Sequence, residues 1–185
     1  MNLKEIKQKT LVLIEEYSPN GKQLTTDSDI ENKMNPVVNQ VMYELCRIKK
    51  IPKYVEMKAT AGSVIDFEAI GKECGYEIYQ INAIKGVHYE EHGDGTIFKF
   101  LEDGTAKIDV FVFPETITAK TNDSYEFELS ADVLEIMPYG IAADLLSTDI
   151  SSNYKEFKQR YETMLSRLDT RNQLPTVRVT GGVAV

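Results

Sequence analysis

The most regular pattern of apolar and polar positions lies in residues 130–170, and it predicts two amphipathic helices joined by a short polar turn. The first helix follows Ser130, a good N-cap, and contains Pro138, which predicts a kink. Its apolar stripe consists of Val133, Leu134, Met137, Ile141, Ala142, Leu145 and Leu146. The second helix repeats apolar side chains at Tyr154, Phe157, Tyr161, Met164, Leu165 and Leu168. Because the connection is short, we expect antiparallel neighbours.

The same helical spacing recurs near the start of the chain. Residues 2–17 form one predicted helix, which a cluster of turn residues at 18–21 ends. The next predicted helix begins at Ser28 and continues to Ile48. Pro36 lies inside it and indicates either a kink or a second helix start capped by Asn35.

Between the two helix pairs the pattern changes to short segments rich in Val, Ile, Tyr and Phe, which predict strands. These strands are 54–60, 64–70, 76–83, 87–91, 96–101 and 106–113. The turns Gly93–Gly95 and Glu102–Gly104 join the fourth strand to the fifth and the fifth to the sixth, and residues 71–75 are predicted as a turn. Tightly linked strands indicate an antiparallel meander, a small sandwich or barrel in which the last strand is central.

The expected fold class is therefore α+β: a helical bundle built from the N- and C-terminal helix pairs, with an inserted small antiparallel β-sandwich or barrel and an extended C-terminal arm. The predicted boundaries are 1–52, 53–128, 129–170 and 171–185. Within the last segment, residues 176–180 alternate like a strand between Pro175 and Gly181. The segment is interpreted either as a frayed terminus or as an arm that adds to a partner's sheet edge or groove.

Charge and composition narrow the function. The net charge is −8; residues 1–60 carry 10 Lys or Arg against 8 Asp or Glu, and residues 61–185 carry 11 against 21. The negative electrostatic field of such a chain disfavours a surface that binds the phosphates of nucleic acid, but it allows DNA to pass without binding. No apolar segment approaches the roughly 20 residues of a membrane span, and no signal peptide is expected at the N-terminus. Cys46 and Cys74 are expected to be reduced thiols.

Two alternatives to a structural role depend on side chains of the predicted strands. His88, Glu90 and His92 alternate on one predicted strand, but the two histidines would be roughly 13 Å apart, too far for a shared metal. A metal-dependent enzyme is therefore the lesser hypothesis; no catalytic residue, metal or cofactor is expected. A carbohydrate-binding module would need exposed aromatic side chains on one sheet face, and the candidates for it are Tyr54, Tyr76, Tyr79 and Tyr89.

The helical segments resemble the head–tail connector (adaptor or neck) proteins of tailed bacteriophages. The resemblance covers most of residues 3–170 and is carried by the opening helices and by the 130–170 hairpin. In the hairpin, the positions that match are Pro138, Tyr139, Ile141, Ala142, Ala143, Leu145 and Leu146, then Phe157, Arg160, Tyr161, Glu162, Leu165 and Leu168. These are packing positions, so the resemblance implies an architecture and not a chemistry.

The resemblance implies a structural virion protein without enzymatic activity, located in the neck and assembled in the host cytoplasm. It implies a homo-oligomeric ring, commonly of twelve subunits, that docks on the portal, joins the capsid to tail or stopper proteins and lines the channel for double-stranded DNA. No membrane is involved. The portal-binding arm would contain Leu174, Thr176, Val177, Arg178, Val179, Val183 and Val185. Candidate subunit contacts are Pro138, Tyr139, Tyr154 and Tyr161. A stopper or tail-terminator ring is the alternative.

Overall fold

The computed structural model describes residues 1–14, 28–147 and 154–172. The helices are α1 (Leu3–Leu13), α2 (Ser28–Ile48), α3 (Phe67–Cys74), α4 (Ala131–Leu145) and α5 (Tyr154–Asn172). The strands are β1 (Ile51–Ala59), β2 (Val64–Asp66), β3 (Ile78–Lys85), β4 (Tyr89–His92), β5 (Ile97–Phe100) and β6 (Gly104–Val112). In chain order, α1 and α2 precede the strands and α4 and α5 follow them, which is the order that the sequence pattern predicts.

Helix α4 is the central helix, because α1, α2 and α5 all pack against it. Most of its residues are buried, and between Val133 and Leu145 Glu135 alone is exposed. A helix that is apolar all round is typically enclosed by other elements. The side chains that surround it include Leu3 and Ile6 of α1, and Val38 and Val41 of α2, all at most 1% exposed.

The prediction of a helical bundle built from N- and C-terminal helix pairs is wrong, although the α+β composition is right. Five helices and two small antiparallel sheets make up the described part of the chain. Residues of α2 such as Met42 share one continuous core with sheet residues such as Val110 and with Ile70 of α3. The helices therefore do not bury their apolar faces only against one another, which a separate bundle would require.

The strands form two small sheets and not the predicted single sandwich or barrel. One three-stranded sheet has the order β1-β6-β3 and the other the order β2-β5-β4, all antiparallel. In the first sheet the central strand is β6, as predicted, and it pairs with β1 from Ile51↔Val112 to Ala59↔Gly104. The turn at residues 93–95 joins the hydrogen-bonded strands β4 and β5 as expected. Strands β5 and β6, in contrast, belong to different sheets, so the strands of the described residues form no continuous meander.

Helix α3 (Phe67–Cys74) stands where the sequence predicts a strand end and a turn. Strand β2 stops at Asp66 because the Asp66 side chain accepts a hydrogen bond from the backbone N–H of Ala69 at 2.8 Å and caps α3. The helix ends at Gly75, whose φ of 75° is the left-handed conformation that glycine adopts without strain. Residues 71–75 are thus the C-terminal end of a helix.

Both interior prolines lie in continuous helices. Helix α2 passes through Pro36 without interruption, so a second helix start at Asn35 is excluded. Helix α4 likewise includes Pro138; the predicted kink there stays a prediction, as do the predicted segment boundaries. Residues 15–17 of the first predicted helix and the turn at 18–21 lie outside the described residues.

Candidate functional site

The two helices that carry the family resemblance meet at Gly140 and Tyr161. The Tyr161 side chain is 7% exposed, and a Cβ at position 140 would lie 2.7 Å from its Cε2 atom and 3.0 Å from Cγ1 of Val41. Glycine is therefore the residue that lets α2 and α5 approach α4 this closely. The Tyr161 hydroxyl donates a hydrogen bond to Oε2 of Glu44 at 2.8 Å, which ties α5 to α2.

A polar cluster lies beside the contact between Gly140 and Tyr161; its members are Gln40, Glu44, Asp144 and the Tyr161 hydroxyl. Nε2 of Gln40 donates to Oδ2 of Asp144 at 2.9 Å, which links α2 to α4. Burial, and then the nearby Glu44 carboxylate, raise the pKa of Asp144, while Lys158 opposes the shift. Burial also raises the pKa of Tyr161 above its usual range, and Glu44 adds to the effect. The Tyr161 hydroxyl therefore stays protonated and serves as a hydrogen-bond donor. Together, the two hydrogen bonds link α2, α4 and α5.

The predicted subunit contacts fall into two groups. Pro138 and Tyr161 are buried inside the chain, where they support its own packing. Tyr139 and Tyr154 are half-buried and are the members with surface to offer a neighbour. Tyr139 lines a groove of about 400 Å³ whose other wall is α5, including Gln159 and Met164. Contact with a second copy at these residues stays a prediction.

The predicted portal-binding arm lies outside the described residues. This applies to all seven of its named positions: Leu174, Thr176, Val177, Arg178, Val179, Val183 and Val185. The last described residue before the arm is Asn172, where α5 ends.

The four tyrosines considered for carbohydrate binding do not form an exposed aromatic face. Tyr54 is exposed, but Tyr76, Tyr79 and Tyr89 are half-buried and pack against the core. The Tyr79 ring lies against Phe113 in a tilted arrangement with ring centroids 4.7 Å apart, and its hydroxyl donates to the backbone oxygen of Cys46. Cross-strand and strand–helix packing accounts for these positions.

Each of the two histidines lies next to a different glutamate. Nδ1 of His88 lies 2.9 Å from Oε1 of Glu102, and Nε2 of His92 lies 3.7 Å from Oε2 of Glu90. Hydrogen bonds from the backbone and the ring of His88 lower the pKa of Glu102. In the described ranges, no group of three or more His, Cys, Asp or Glu side chains is arranged to hold a metal ion.

Sequence patterns did not reveal the outer faces of the two sheets. Exposed apolar side chains gather there, at Tyr54 on the first sheet and at Val64, Ile97 and Leu101 on the second. As a strand, segment 97–101 has apolar side chains on both faces, with Lys99 as the exception. Such a pattern indicates that the outer face is also covered by another surface. From sequence alone it is equally consistent with a strand buried on both sides.

Among the residues that the structure describes, no helix combines the length and the apolar character needed to cross a membrane. No protein-family model matches the chain, and no curated protein is significantly similar to it.

Proposed function

We propose that this chain is a structural virion protein of a tailed bacteriophage, a head–tail connector subunit that assembles into a ring on the portal and lines the DNA channel. The observation that carries the proposal is the packing of the segments on which the resemblance rests. Helices α4 and α5 pack against each other, and Pro138, Ile141 and Tyr161 are buried. The resemblance therefore falls on a structural core, as expected for an assembly module.

The acidic balance supports the same role. A chain with net charge −8 in many copies around a channel would repel the phosphates of passing DNA and prevent it from adhering. The ring assembles in the host cytoplasm and is retained in the neck of the virion, with tail or stopper proteins on its other side. Contact with the portal is assigned to the C-terminal arm, residues 174–185.

The arm is tested by binding of the purified chain to the portal protein encoded in the same genome. Deletion of residues 174–185 is expected to abolish co-migration with the portal in size-exclusion chromatography. The control keeps residues 174–185 in scrambled order, which preserves their length and composition and should also fail. Normal docking of the truncated chain contradicts the arm assignment. A chain that binds tail proteins but never the portal is instead a stopper or tail-terminator ring.

A further inference from the structure

Large apolar side chains are exposed mainly on the β region. Of the five that are exposed in the described residues, Tyr54 (53%), Val64 (59%), Ile97 (38%) and Leu101 (47%) lie on outer faces of the sheets, and Val12 of α1 (39%) is the fifth. Clustered exposed apolar side chains rimmed by polar residues are typical of surfaces that contact another protein.

The outer face of the second sheet contains three of these side chains in one patch. Val64 pairs with Lys99 across the strands, and Ile97 and Leu101 flank Lys99 by two positions on either side. Both are therefore diagonal neighbours of Val64, at about 7–8 Å. We call this surface the sheet-2 face; its residues are Val64, Asp66, Glu90, His92, Ile97, Lys99 and Leu101. With Asp66 and Glu90 against Lys99, its net charge is negative.

The outer face of the first sheet has the opposite charge. We call it the sheet-1 face; its residues are Lys50, Pro52, Tyr54, Glu56, Lys58, Lys85, Lys107, Asp109 and Phe111. Lys85 pairs with Asp109 at 2.6 Å and Lys107 with Glu56 at 3.7 Å. Lys50, whose Nζ lies 4.6 Å from the centroid of the Phe111 ring, and Lys58 add further positive charge. The face is therefore cationic in a chain whose net charge is −8.

The two faces belong to different sheets and are separate surfaces of the β region. The inner residues of the first sheet, such as Val55 and Ile108, and those of the second, such as Phe98 and Phe100, enter one core with Ile70. Helix α3 contacts β1 and β3 of the first sheet and β2 of the second. Each outer face is therefore the side of its own sheet that is turned away from this core.

We propose that copies of this chain associate head to tail, with the sheet-1 face of one copy bound to the sheet-2 face of the next. This inference rests on the proposed ring, and it names the surface that closes the ring. Opposite net charges attract in this pairing, whereas a two-fold pairing of either face with itself would oppose like charges. A contact between two different faces of a subunit generates a ring when the rotation between copies closes.

Two full-length variants, each with one face blocked, test the contact. Tyr54→Ala removes the exposed ring of the sheet-1 face without adding a charge; Ile97→Lys places a positive charge in the apolar patch of the sheet-2 face. Each variant alone should raise the concentration for half-maximal assembly about tenfold or more, as for central interface residues. Val12→Lys is the matched control, since Val12 and Ile97 are 39% and 38% exposed, and it should assemble normally.

Mixing the two variants gives the decisive result. Each retains the face that the other lacks, so the mixture should form one-to-one dimers and no larger species, measured by light scattering during size-exclusion chromatography. Assembly of either variant at the wild-type concentration, or absence of the mixed dimer, overturns the contact and leaves the ring proposal standing. A wild-type chain that stays monomeric at all concentrations, with and without portal, overturns the ring itself and the contact with it.

Discussion

The ring of Tyr161 occupies the space that a side chain at position 140 would need: a Cβ on Gly140 would lie 2.7 Å from Tyr161 Cε2. We therefore expect Gly140→Ala to destabilise the chain by about 1–3 kcal/mol through overpacking. Helix propensity alone predicts the opposite sign, because alanine favours an interior helical position by about 1 kcal/mol over glycine. Chemical denaturation measures the difference, with Glu135→Ala on the exposed side of α4 as control. A more stable Gly140→Ala variant would contradict the close approach of α4 and α5.

The hydrogen bond between Tyr161 and Glu44 should be measurable by itself. Tyr161→Phe keeps the ring against Gly140 and removes the donor, so we expect a loss of about 1 kcal/mol in the free energy of unfolding. A double-mutant cycle with Glu44→Ala isolates the pair from other effects. Strictly additive losses in that cycle would show that the two side chains do not interact in solution.

Asp144 predicts a pH dependence with a definite sign. Its pKa is raised in the folded chain, so the folded state holds this proton more tightly than the unfolded state. The stability that it contributes is fully present below the ordinary Asp pKa of 3.8 and is lost as the pH rises through the raised pKa. Asp144→Asn should therefore gain stability relative to wild type as the pH rises, with the smallest difference below pH 3.8.

Asp132 is the matched control of opposite sign. The nearby Ser130 hydroxyl, and then the ammonium of Lys49, whose Nζ lies 3.4 Å from Oδ2, lower the pKa of Asp132. Its stabilising contribution is present above the ordinary pKa and is lost as the pH falls through the lowered value. Asp132→Asn should thus be less stable than wild type at neutral pH and approach it in acid. Equal pH profiles for the two variants, from thermal unfolding between pH 3 and 7, would refute both assignments.

The cap of α3 tests the helix that the sequence pattern missed. Asp66 accepts a hydrogen bond from the backbone N–H of Ala69 at 2.8 Å, so Asp66→Ala should cost about 1 kcal/mol. Asp66→Asn retains an acceptor oxygen and should cost much less. Equal losses for the two variants in urea denaturation would indicate that residues 67–74 are not capped as described.

The two cysteines should react at different rates. Burial raises the pKa of the Cys46 thiol to about 11, and Cys46 is 0% exposed, whereas Cys74 is half-buried. Because the thiolate is the reactive form, one thiol should titrate rapidly with a disulfide reagent in the native chain and two after denaturation. Cys74→Ser should remove the fast phase. A fast phase that persists in this variant would show that Cys46 is accessible.

How far the sequence predicts this structure depends on whether the signal is local. Helices α1, α2, α4 and α5 follow from the 3.6-residue spacing of their apolar positions, and most strands from short β-rich segments. Helix α3 was missed because Val64, Ile65 and Phe67 continue the appearance of a strand, and only the Asp66 cap interrupts it. The pairing of β1 with β6, about fifty residues apart in sequence, leaves no local signal.

The candidate site was predictable only in part. Periodicity predicts the helical hairpin, but it does not show which members of a stripe stay accessible: Tyr161 is buried, whereas Tyr154 in the same stripe is half-buried. The two sheet faces depend on sheet order and on burial of the opposite side. Both are properties of the folded chain, because a strand such as 97–100 has apolar residues on each of its faces.

The central claim is that copies of this chain form a closed ring on a phage portal. Electron microscopy of the purified full-length chain, mixed with the portal protein encoded in the same genome, tests it most directly. The account predicts ring-shaped particles of cyclic symmetry stacked on the portal, with an open central channel. Portal particles that carry no added density, beside a chain that remains monomeric, would contradict it.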